Sequence, residues 1–149
     1  MKVEELEDLK KYIEQEDKSN SDVSAAGTYW HLDHIFQVIT RISKALIKSD
    51  PEEFRGKFKP NWAVIRTAGK IPRGVGRAPK SVQPETEKNA SELLEDLANA
   101  KSIIERVHTL DKKAHFIHPV FGTLDLKNTL KFLKIHTKHH LKIIDDILK

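Results

Sequence analysis

Two histidines one helical turn apart, His136 and His140, lie in the middle of the apolar stripe of the last helical segment. At roughly 100° per residue, Leu126, Leu130, Leu133, Ile144 and Ile147 fall within about 100° of arc, and both imidazoles fall inside or just beside it. A core helix ordinarily fills such positions with leucine. Buried imidazoles carry donors and acceptors that need partners, and a metal ion has the matching chemistry. Side chains at i and i+4 lie about 5–6 Å apart at Cβ, so two ring nitrogens can converge on one ion at about 2.0–2.1 Å. The HExxH zincins use the same spacing. In IHTKHHLKII the pair is His136 and His140, while His139 points to the flank. The plain alternative is a pair of core histidines satisfied by polar neighbours.

A third ligand must come from another helix, and GTYWHLDHIFQV offers His31 and His34. The apolar stripe of that segment centres near Ile35, Ile39 and Leu46, about 50° from His31 and about 110° from His34. Periodicity therefore favours His31. Three neutral imidazoles would leave one coordination position open, which is the catalytic rather than the structural type of site. The vacancy would hold water for metal-assisted hydrolysis, or a small thiol that loses its proton and attacks as thiolate. Asp33, beside His34, is a candidate to orient a histidine through its other nitrogen. Arg66, Arg73, Arg77 and Lys80 crowd one long connection, and Arg73 and Arg77 are candidates to bind an anionic group of a substrate. The GVG in that stretch follows no strand and opens no helix, so it is no nucleotide fingerprint. His118, before Pro119, reads as a packed turn element with Phe121 and Gly122.

Four amphipathic segments position these side chains. The first runs from residue 3 to about 16, with Val3, Leu6, Leu9 and Ile13 at helical spacing. The second opens near Thr28, which can cap it, and runs to about Lys48 before Ser49, Asp50 and Pro51 end it. A long connection over residues 51–83 includes a short amphipathic piece from Pro60 to Ala68; connections of that length are more often functional than idle. The third segment opens with Pro84 and the acidic Glu85 and Glu87, and continues to about Leu110. The loop AHFIHPVFGT then leads to Asp125, an N-cap for the last helix. With no strand signal between them, four such helices predict an all-α four-helix bundle, an architecture whose interior commonly houses metal sites.

Composition agrees with one domain spanning residues 1–149. Zero cysteines exclude disulfides, a thiolate nucleophile and cysteine-based metal sites, and fit a reducing cytoplasm. No run approaches the ~18 apolar residues of a membrane span. A net charge of +4 is modest for a nucleic-acid binder. Lys127, Lys131, Lys134, Lys138 and Lys142 form a basic face on the last helix opposite the histidine pair, which reads as a solvated surface and otherwise as a binding face. The expected partner is a small-molecule substrate; a homodimer is left open, and neither membrane nor nucleic acid is implied.

The segments WHLDHIFQVI, KIPRGVGRAPK, HPVFG and FLKIHTKHHLKII, in this order, resemble the DinB-like superfamily, specifically a branch known as a domain of unknown function with an HP-x-FG loop before the last helix. The resemblance covers the chain from about Ser24 to its end. It implies a four-helix bundle with an unusual helix order and a metal held by three histidines. It places one ligand in a His-apolar step of the second helix, matching His34-Ile35, and two in H-x-x-x-H, matching His136 and His140; on this ground His34 replaces His31. Characterised relatives include S-transferases that use bacillithiol, mycothiol or glutathione. The resemblance thus implies a divalent ion, zinc or nickel, and a low-molecular-weight thiol as cofactors. Leu141-Lys142-Ile143 stands where the better-known branch often carries Arg-Gly-Gln.

Overall fold

A computed structural model describes residues 1–74 and 83–149. The chain is mostly helical: α1 (Glu4–Glu7), α2 (Lys10–Ile13), α3 (Thr28–Lys48), a 3₁₀ turn (Pro51–Glu53), α4 (Pro60–Ala68) and α5 (Ala90–Val107) precede an antiparallel hairpin of β1 (His115–His118) and β2 (Gly122–Asp125), and α6 (Leu126–Ile147) ends it. The central element is α3, which packs along both α5 and α6. Leu32, Ile35, Phe36 and Ile39 of α3 meet Leu93, Leu97, Ala100 and Ile104 of α5 and Leu133 and Ile144 of α6 in one core.

The first expected helix is two short ones. Asp8 and Leu9 stay right-handed between them, but the bonds Leu9 N–H to Leu6 O and Tyr12 N–H to Leu9 O, both 3.0 Å, run three residues back. In that tighter winding residues i and i+3 eclipse, which is the spacing of Leu6, Leu9 and Tyr12, all buried.

The start of α3 is fixed from outside. Gly27, not Thr28, is its N-cap residue, and the Asp17 carboxylate supplies the cap, accepting from Thr28 Oγ1 at 2.7 Å and Tyr29 N–H at 2.9 Å. A Cβ at Gly27 would stand 3.1 Å from Asp17 Oδ1 and from the Lys18 carbonyl, so glycine admits the approach. The polar run before α3 is therefore folded against the helix end that carries His31 and His34.

The third long helix begins later than Pro84 suggests. Residue Asn89 is its N-cap in a reciprocal capping box with Glu92, and Lys88 just before it reaches Asp33 of α3 at 3.1 Å. A helix begun at Pro84 would draw Lys88 into its second turn.

The loop expected before α6 is the β1–β2 hairpin, with His115 opposite Asp125 and His118 opposite Gly122. A third stretch joins its edge: Lys59 N–H donates to Phe121 O at 2.8 Å and Thr123 N–H to Lys57 O at 2.9 Å. Gly122 has φ +78°, and a Cβ there would lie 3.0 Å from the Lys57 carbonyl, so only glycine serves. Backbone pairing with residues 57–59 thus stabilises two four-residue strands whose sequence shows little alternation. As expected, Asp125 caps α6, accepting from Asn128 N–H at 2.7 Å.

Candidate metal centre

The N-terminal half of α3 presents His31 and His34, one turn apart, to His136 and His140 in the middle of α6. The two helices are far apart in sequence, yet His34 Nε2 and His136 Nε2 lie 3.2 Å from each other. The ring of His140 stands 4.6 Å from those of His34 and His136, centroid to centroid. One ligand nitrogen from each of His34, His136 and His140 falls in a group whose members all lie within 4.8 Å. His34 is 2% exposed and His140 9%. Trp30 stacks on the His34 ring at 5.3 Å and 14°, and Phe132 flanks His136 at 5.7 Å.

Burial sets the protonation of these rings. It pushes His136 well below the ordinary imidazole value of 6.5, with the neighbouring rings of His34, His139 and His118 adding to the effect. The same desolvation, followed by repulsion from His136 and His34, lowers His140 strongly. Near pH 7 both are neutral, the form that donates a lone pair to a metal. Tetrahedral bonds of about 2.0–2.1 Å put ligand nitrogens about 3.3–3.4 Å apart. The His34–His136 separation of 3.2 Å lies close to that figure, and the nitrogen of His140 lies within 4.8 Å of both. The residues present therefore fit a divalent ion held by three imidazoles.

No protein-family model, curated protein or solved structure matches the chain.

The remaining candidates of the sequence distribute around this centre. His31, which periodicity favoured as a ligand, is equally buried but sits behind His140, with its Nδ1 at 2.9 Å from His140 Nδ1. Periodicity along α3 pointed to His31, whereas the nitrogen that groups with those of His136 and His140 belongs to His34. The Asp33 carboxylate turns to other partners than an imidazole: it accepts from Gln37 Nε2 at 3.2 Å and pairs with Lys88 at 3.1 Å. Burial opposes the charge on Lys88, but bonds to Asp96 and Asp33 outweigh it and raise its pKa.

Arg73 pairs with Asp146 of α6 at 2.6 Å and donates to the Lys142 carbonyl at 3.2 Å. Its guanidinium is thus tied to the outer turn of α6, beside His139, which bonds the backbone of Ile71. Arg77 and Lys80 lie outside the described residues. His118 is the packed turn element its sequence suggests: Nδ1 accepts from Val120 N–H at 3.1 Å and Phe121 N–H at 3.2 Å, and the ring stacks on Phe121 at 4.4 Å. Sequence reasoning missed Ser24, whose Oγ lies 3.0 Å from His31 Nε2, and Trp30 as the lid of the His34 ring. Only Trp30 carried a signal in the sequence, standing one helical turn before His34.

Proposed function

We propose that His34, His136 and His140 hold a divalent ion, zinc or nickel, in a DinB-like four-helix metalloenzyme that transfers a low-molecular-weight thiol to an electrophilic small molecule. The observation that carries this reading is the 3.2 Å approach of two ring nitrogens from α3 and α6, with His140 completing the group. Two imidazole nitrogens this close share either a proton or a cation, and a divalent ion also engages His140. The α1–α2 pair, α3, α5 and α6 supply the helical bodies such a bundle requires.

Bound by three imidazoles, a divalent ion would supply Lewis-acid charge at an open position, where it lowers the pKa of a thiol. The chain itself contributes orientation and dryness. Trp30 covers one face of His34 and Phe132 one flank of His136, so two ligands are shielded from competing water. Asp33 and Asp145, the carboxylates closest in sequence to the histidines, are committed to Lys88 and to the Tyr12 hydroxyl, the latter at 2.7 Å. That commitment favours a nucleophile needing no adjacent carboxylate base, which a thiol is and a hydrolytic water less often is. No helix among the described residues is long and apolar enough to cross a membrane.

Metal-free protein reloaded with zinc or nickel should hold one equivalent, and His140→Ala should hold none by elemental analysis. The loaded protein should conjugate glutathione or bacillithiol to chlorodinitrobenzene, and His140→Ala should not. Equal metal content in both proteins would remove the site, whereas metal-dependent ester cleavage without thiol would reassign it to hydrolysis.

A further inference from the structure

His31 is buried at 4% exposure, yet no function has so far required it. Both of its ring nitrogens are engaged: Nδ1 lies 2.9 Å from His140 Nδ1, and Nε2 lies 3.0 Å from Ser24 Oγ. Ser24 Oγ in turn accepts the Ala26 N–H at 3.1 Å. A chain of hydrogen bonds therefore runs from the loop before α3, through His31, to the ring of His140 on α6, across 109 residues of sequence between the two histidines. Trp30 holds the His31 ring edge-on at 5.2 Å and 87°.

The direction of this chain decides whether His140 can be a ligand. A neutral imidazole carries one N–H and one lone pair. If His31 donated from Nδ1, the His140 proton would sit on Nε2, the nitrogen left to face an ion, and would block it. In the opposite sense His140 Nδ1–H donates to His31 Nδ1, and His31 Nε2–H donates to Ser24 Oγ. The hydroxyl can receive it, because Ala26 N–H occupies only one of its two lone pairs. His140 Nε2 then keeps its lone pair. Resting on the metal reading above, we infer that His31, anchored by Ser24, is a positioning residue that fixes the tautomer and ring orientation of His140 for metal binding. Histidine ligands commonly owe both properties to a partner on their other nitrogen; here the partner is a second imidazole rather than a carboxylate.

Amide replacements separate this role from plain packing. An asparagine at position 31 places its carbonyl oxygen near the Nδ1 site, where it can accept from His140. A glutamine places the same group near the Nε2 site, where it meets Ser24 instead. Zinc affinity, measured by competition with a chromophoric chelator, should fall about 10–100-fold in His31→Leu and His31→Gln. It should return to within a few-fold of wild type in His31→Asn, and the visible cobalt spectrum should follow the same order. Should His31→Leu not fold, the asparagine and glutamine proteins decide alone, since both keep polar volume at the site. Wild-type affinity in His31→Gln, or an equal loss in His31→Asn and His31→Gln, would overturn the assignment while the metal site stands. A wild-type protein that takes up no ion would remove the site and this role together.

Discussion

A histidine's role in this protein is set by what its second nitrogen touches. His34 and His136 bring nitrogens together, His31 spends both of its nitrogens on neighbours, and His118 spends Nδ1 on two backbone N–H groups of its own turn. Sequence shows which histidines share a helix face but not these bonds, which is why spacing singled out His136 and His140 as a pair but preferred His31 to His34. His118 also makes the clearest pH prediction. Burial lowers it from 6.5 to about 4, so the unfolded chain takes up its proton first as pH falls. The stability it contributes is complete above about pH 6.5 and is lost progressively down to about pH 4. His118→Asn keeps an acceptor for Val120 and Phe121 but has no proton to take up. Thermal unfolding of metal-free protein should show the variant less stable by about 1–3 kcal/mol near neutrality, with a shallower decline between about pH 6.5 and pH 4. Parallel declines in the two proteins would mean that His118 is not a source of acid sensitivity.

At the scale of elements, amphipathic periodicity made α3, α4 and α6 legible, including the Asp125 cap, because each buries apolar residues at helical spacing. The misread elements answer to partners distant in sequence. The hairpin depends on pairing with residues 57–59, and the late start of α5 accompanies the ion pair of Lys88 with Asp33. The N-x-x-E signature of the α5 cap, Asn89 to Glu92, was present in the sequence, but Pro84 with Glu85 and Glu87 offered an equally good local start. The two starts differ in what mutation does. Asn89→Ala should cost about 1 kcal/mol, a fall in melting temperature of about 2–4 °C, and Asn89→Ser should recover most of it. Pro84→Ala, outside the helix, should change melting by less than the cap mutation does. A larger loss at Pro84 than at Asn89 in calorimetric scans would move the functional helix start back to the proline.

For the whole molecule, the histidine group ties α3 to α6, and α6 is in turn held to the N-terminal segment by Tyr12 with Asp145 and by Lys134 with Glu5. The unfolded chain has no such group, because residues 34 and 136 are 102 positions apart. An ion that binds only the folded form stabilises it by mass action, by about 2.7 kcal/mol when its free concentration is a hundredfold above Kd. For a chain of this size that corresponds to a rise in melting temperature of about 5–11 °C. Zinc should produce this rise in metal-free protein, a chelator should reverse it, and His136→Ala should abolish it. Lys131→Ala alters only the exposed basic face of α6 and should leave the zinc effect intact. The contrast also tests the binding-face reading of those lysines, since a protein working through its basic face would respond to Lys131 in salt-dependent DNA retention and be indifferent to His136. A zinc-induced rise equal in wild type and His136→Ala would show that the ion acts elsewhere on the surface and not at the seam between α3 and α6.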